Sequence, residues 1–169
     1  MADLIQNRVE ESGLISLDLA QYLPQHPIAE FDLSLYLWEG LVLKEKLFRQ
    51  SLKALSSASF HKQHIAVFCS AEAVIPDWAW MLTTSTLVEF GAQVWLGTPT
   101  EVRSQIFHFN IQNIDPESFR DGRVVIKGCS DAGGAQALGE IIQKLQPVTR
   151  SIMYGEPCST VPIYKRPKA

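Results

Sequence analysis

The sequence predicts a single α/β domain built on a mostly parallel four-stranded sheet flanked by helices. Three observations carry this. Four short apolar runs, HIAVFC (64–69), AQVWLG (92–97), RVVIKG (123–128) and RSIMYG (150–155), recur at intervals of roughly thirty residues, the length of a βαβ unit. The stretches between them have helical patterning. No low-complexity linker divides the 169 residues, a length that suits one core.

Residues 1–31 alternate short apolar and polar pieces and end in YLPQHPIAEF, where Pro24 and Pro27 forbid a continuous helix. This part reads as an irregular N-terminal arm. From Asp32, a plausible N-cap residue, Leu33, Leu37, Leu41, Leu43, Leu47, Phe48, Leu52 and Leu55 fall close to the helical period. One long helix over 32–56, weakened at Gly40, is predicted. A βαβ core over 64–158 follows. Its helices are expected after Pro76 (DWAWMLTTSTLVEF), from about Thr98, and over GGAQALGEIIQKL before Pro147, with Trp78, Trp80 and Met81 read as core.

Composition narrows the partners. Hydrophobic residues make up 46% of the chain and charged ones 20%, and 15 Lys and Arg face 18 Asp and Glu, for a net charge of −3. Without a basic excess, nucleic acid and anionic membrane are not expected as partners. No apolar run approaches the roughly 18–20 residues that span a bilayer. The opening MADLIQNRVEESGLISLDL lacks the basic and apolar regions of a secretory signal, so a cytoplasmic location is expected. Three cysteines in a reducing compartment are then buried, ligating or reactive rather than paired.

Each cysteine falls just beyond an apolar run: Cys69 after the first, Cys129 after the third, Cys158 after the fourth. Ligands of open parallel sheets bind outside the carboxyl ends of the strands. If the four strands run in the order 2-1-3-4, strands one, three and four are neighbours about 4.8 Å apart. Loops leaving them could then surround one metal ion. Carboxylates stand close in sequence, Glu72 after Cys69, Asp131 after Cys129 and Glu156 before Cys158. The expected site is therefore Cys69, Cys129 and Cys158 holding zinc or an iron–sulfur centre, with Asp131, Glu72, water or a partner's group completing it. The competing reading is a thiol enzyme or persulfide carrier. Cys158 in GEPCST would be its nucleophile, Cys129 or Cys69 would resolve it, and helix N-termini with Lys127 or Lys165 would favour the thiolate.

The blocks LVLKEKLFR, CSAEAVIPDWAWM, VVIKGCSD and SIMYGEPCSTVPIYK, with NRVEESGLISLDL near the start, resemble the bacterial family catalogued as domain of unknown function 2480, over nearly the whole chain. That resemblance implies an accessory role beside the proteins of iron–sulfur cluster assembly. The family pattern carries aspartate where this chain has Glu72, and it is less glycine-rich after KGCSD.

Overall fold

The computed structural model describes residues 13–128, 134–156 and 158–168. Its strands are divided between two sheets instead of being gathered in one. In the first sheet β1 (Leu14–Asp18), β5 (Arg123–Lys127) and β6 (Ser151–Glu156) are parallel neighbours, and β7 (Ser159–Lys165) returns antiparallel beside β6. The second sheet is parallel throughout, with β3 (His64–Phe68) between β2 (Ala29–Asp32) and β4 (Gln93–Leu96). Four α-helices complete the described fold: α1 (Glu45–Lys53), α2 (Asp77–Glu89), α3 (Pro99–Gln112) and α4 (Gly134–Leu145). None is long and apolar enough to cross a membrane.

The chain forms two compact units. Residues Met1–Leu23 and Ile106–Ala169 make the terminal unit, and Pro24–Gln105 make the central unit. The fold is thus α/β, but the expected four-stranded sheet of order 2-1-3-4 is corrected. Two of its strands, β3 and β4, lie in one sheet, and β5 and β6 lie in the other.

The N-terminal expectations are corrected as well. Residues 14–18 and 29–32 of the supposed irregular arm are strands, hidden because each is short and finds its partner far along the chain. No long helix runs over 32–56. Asp32 does cap, but it caps the short 3-10 turn Leu33–Tyr36, its carboxylate accepting the Ser34 N–H at 2.8 Å. A tight hairpin then joins Trp38 to Val42, and Glu39 and Gly40 both take left-handed backbone (φ 51° and 71°), which no helix tolerates. Only the nine residues of α1 are α-helical.

The two units repeat one design. Asp18 ends β1 as Asp32 ends β2, each capping a 3-10 turn, in the matching segments DLAQYL (18–23) and DLSLYL (32–37). Leu19 and Leu33 are buried at the same place in those turns. Phe48, Leu52, Leu55 and Phe60 recur, at constant spacing, as Phe107, Ile111, Ile114 and Phe119. The central strands then bury three consecutive residues each, Ile65–Val67 and Val124–Ile126, as strands covered on both faces do. Lys62 and Asp121, just before them, share a left-handed φ of 58° and 55°.

The following helices bury Ala79, Thr83 and Leu87 in α2, and Ala137, Ile141 and Leu145 in α4. Their i, i+4, i+8 spacing places each set on one helix face. Gly97 and Gly155 end the last parallel strands with φ of 132° and 117°. Each fully buried Leu, Ile or Phe in these frames stabilises by roughly 1.5–3 kcal/mol.

Candidate functional site

At the carboxyl end of the central unit's sheet, β3 runs into Cys69 and Ser70. The Ser70 backbone N–H and hydroxyl donate to Asp32 at 3.0 and 2.5 Å, and the Ser70 and Ser34 hydroxyls lie 2.9 Å apart. Burial pushes the Asp32 carboxyl upward, but the bonds from Ser70 and Ser34 together hold it below the usual carboxylate range. Asp32 is therefore a fixed anion at neutral pH and a weak proton acceptor. The half-buried Cys69 thiol donates to the Ala71 carbonyl at 3.4 Å. This cluster satisfies itself and braces the turn.

At the corresponding end of the terminal unit's sheet the groups are charged. Lys127, last in β5, stands in register with Asp18 of β1, and its ammonium lies 2.8 Å from the Glu156 carboxylate of β6. The Glu156 bond raises the affinity of Lys127 for its proton against the opposing effect of burial, with further help from the negative charges of Glu156 and Asp18. Cys158 is exposed in the turn between β6 and β7.

The expected three-cysteine site is overturned by this geometry. It required the strand leading to Cys69 to neighbour the strand leading to Cys129. Instead β3 pairs with β2 and β4, so Cys69 and Cys158 leave strands of different sheets. Glu72 is exposed, and Cys129 and Asp131 lie outside the described residues. Among the described residues no three His, Cys, Asp or Glu side chains are grouped so as to hold a metal ion. The zinc or iron–sulfur reading, and with it the cysteine cluster, is withdrawn.

A different feature of the terminal unit stands out. Between α4 and the β6–β7 hairpin lies a groove of about 550 Å³, walled by Leu138, Gly139 and Ile142 of the helix and by Ile126, Tyr154 and Ile163 of the sheet. Its polar members are Gln143 and the Tyr154 hydroxyl. A Cβ on Gly128 would collide with the Tyr154 ring and hydroxyl, so that glycine lets the tyrosine lie across the strand end. At Gly139 an added Cβ would meet nothing within 4 Å.

The central unit shows what makes this groove. Trp80 occupies the position of Leu138 and Met81 that of Gly139, and β7 has no counterpart there. In the terminal unit the β6–β7 hairpin thus faces a helix with smaller residues at these two places.

The family model described as protein of unknown function (DUF2480) matches residues 3–166. The chain belongs to that family. No curated protein and no solved structure matches it. Within this DUF2480 chain, motif reading went to the cysteines and missed the groove, whose residues share no spacing pattern. One signal was available: the pair DLAQYL and DLSLYL, fourteen residues apart, marks two equivalent strand ends. It would have split the strands into two sets.

Proposed function

We propose that the protein binds a small, largely apolar molecule bearing one hydrogen-bonding group, in the groove between α4 and the β6–β7 hairpin. The observation that carries this reading is the apolar groove itself, walled by α4 on one side and by the β6–β7 hairpin on the other. Its volume falls within the roughly 300–1,000 Å³ of small-molecule sites. Ile126, Leu138, Ile142 and Ile163 supply the apolar contact, worth about 25 cal/mol per Å² removed from water. The Tyr154 hydroxyl and Gln143 amide orient the polar group of the ligand. Among the described residues no charged side chain lines the groove, which favours a neutral ligand there, since an unpaired charge would lose its hydration.

Gly139→Leu tests this by adding bulk at the groove wall. Nile red serves as the probe. The wild type is expected to bind it saturably, and Gly139→Leu to weaken that binding at least tenfold. The melting temperature of the variant should hold or rise, because glycine inside a helix costs about 0.5–1 kcal/mol relative to alanine. Leu35→Gln, on the central unit, should bind the dye as the wild type does. Equal binding by Gly139→Leu, or no saturable binding by the wild type, overturns the reading.

A further inference from the structure

The central unit carries a second feature that neither its core nor the groove explains. Leu35 is 80% exposed, Leu41 65% and Val42 51%, and Trp38 and Leu47 are also exposed. These side chains come from the 3-10 turn Leu33–Tyr36, the hairpin after it and the first turn of α1. Together they form an apolar face on the order of 500 Å², the size at which exposed patches are commonly functional.

The terminal unit serves as an internal control for this face. At the place of Leu35 in its DLxxYL turn stands Gln21, so the turn itself does not require an apolar residue. At the place of Leu47 stands Ile106, which is 1% exposed. The repeated frame therefore buries that position in one copy and leaves it open in the other. The backbone adds a third sign. Glu39, a non-glycine residue, is held in left-handed conformation at a cost of about 1–2 kcal/mol, and the turn it makes projects Leu41 and Val42.

We propose that a second copy of this chain covers the face, forming a symmetric dimer. Leu35, Tyr36, Trp38 and Leu47, together with the polar Lys44 and Gln50, border a hollow of about 350 Å³. In a twofold arrangement Leu41 of each copy enters the hollow of the other, since an isologous contact presents the same knob and hole on both sides. Charges of both signs surround the face, Glu39 and the ion-paired Glu45 and Arg49 beside Lys44 and Lys46, and the Lys44 ammonium lies 3.4 Å from the centre of the Trp38 ring. Two copies can thus set unlike charges opposite one another, whereas an anionic lipid surface calls for a cluster of cations without intervening acids. A face of that size supplies more than half of the roughly 800 Å² per partner that a standard interface buries.

Analytical ultracentrifugation of the full chain tests the proposal. The wild type should sediment as a dimer, twice the 18.9 kDa of one chain. Leu35→Gln installs the residue the other copy already uses, and Leu41→Lys changes an exposed turn residue. Each should weaken dimerisation at least tenfold while keeping the far-UV spectrum and the melting profile of an unassociated fold. A wild type that stays monomeric up to about 100 µM overturns the proposal, because an interface of standard size is well populated there. A dimer that both substitutions leave intact overturns it too, as does a monomer that binds phosphatidylserine vesicles through the same residues.

Discussion

The two units share a frame and differ in what fills it. In the central unit the core is aromatic: Phe31 stacks on Tyr36 at 5.3 Å, Tyr36 meets the edge of Phe48 at 5.5 Å, and Phe48 meets Trp78 at 6.1 Å. The corresponding positions in the terminal unit hold Leu17, Tyr22, Phe107 and Gln136. Leu17 and Phe107 there join the aliphatic cluster of Ile111, Val124, Ile141 and Ile152. The same path of strands, caps and helices is thus specified by which positions are apolar, and not by which apolar residues occupy them. The copies diverge in the groove of one and the exposed face of the other, and both proposals rest on that divergence.

The largest expected effect compares the equivalent phenylalanines. Phe48→Ala and Phe107→Ala each delete a fully buried ring and should cost about 3–5 kcal/mol. Phe48 also makes two aromatic contacts, each worth about 0.5–1.5 kcal/mol beyond its area, where Phe107 has one ring contact, with the adjacent His108 at 5.8 Å. Phe48→Ala should therefore be the more destabilising, by about 1 kcal/mol or more, in urea unfolding followed by circular dichroism. Equal losses would show that the aromatic network adds nothing beyond burial.

The next effect concerns the paired glycines at the strand ends. Gly97 and Gly155 both need positive φ, so alanine is strained at either. The surroundings differ. A Cβ at Gly155 would stand 2.7 Å from the Ser159 carbonyl oxygen, backbone that the β6–β7 pairing fixes in place. At Gly97 the nearest atom is a Glu101 carboxylate oxygen at 3.1 Å, the end of a movable side chain. Gly155→Ala should cost about 1–3 kcal/mol in the same assay and Gly97→Ala less. The reverse order would mean that the hairpin yields more readily than the Glu101 cap, which accepts the Thr98 N–H and hydroxyl at 2.8 Å.

Much of the frame was legible in the sequence. The four apolar runs are strands β3, β4, β5 and β6, and the three helical stretches of the βαβ core are α2, α3 and α4, because period and breakers are local signals. Asp32 was legible as a cap, but not that it caps a 3-10 turn, since the break follows from the left-handed pair Glu39 and Gly40. Strand partnership was not legible. β1 and β5 are separated by more than a hundred residues, and nothing in LISLD names its partner. That single gap placed Cys69 beside Cys129 and generated a metal site the pairing does not support. The groove was illegible for another reason: it depends on the smallness of Gly139 and on a hairpin, which only packing reveals. Met81, read as core, is 73% exposed, and its counterpart is that same Gly139.

The smallest effect separates the units by pH. His64 opens β3, and its Nδ1 accepts the Trp95 indole N–H at 3.0 Å, whereas the matching residue of the terminal unit is Arg123, charged at any working pH. Burial, with the nearby charge of His26 adding to it, holds the His64 imidazole below its usual value of ~6.5. An imidazole depressed in the folded state is protonated more readily in the unfolded chain, so stability rises with pH across this window. Its contribution is complete above about pH 6.5 and is lost as the pH falls through the folded value. His64→Gln keeps an acceptor for Trp95 and removes the titration. Urea midpoints measured at pH 7.5 and 5.5 should move apart less in that variant than in the wild type, with Trp emission as the probe. An equal shift in both would place the acid sensitivity elsewhere and leave the His64–Trp95 bond as packing alone.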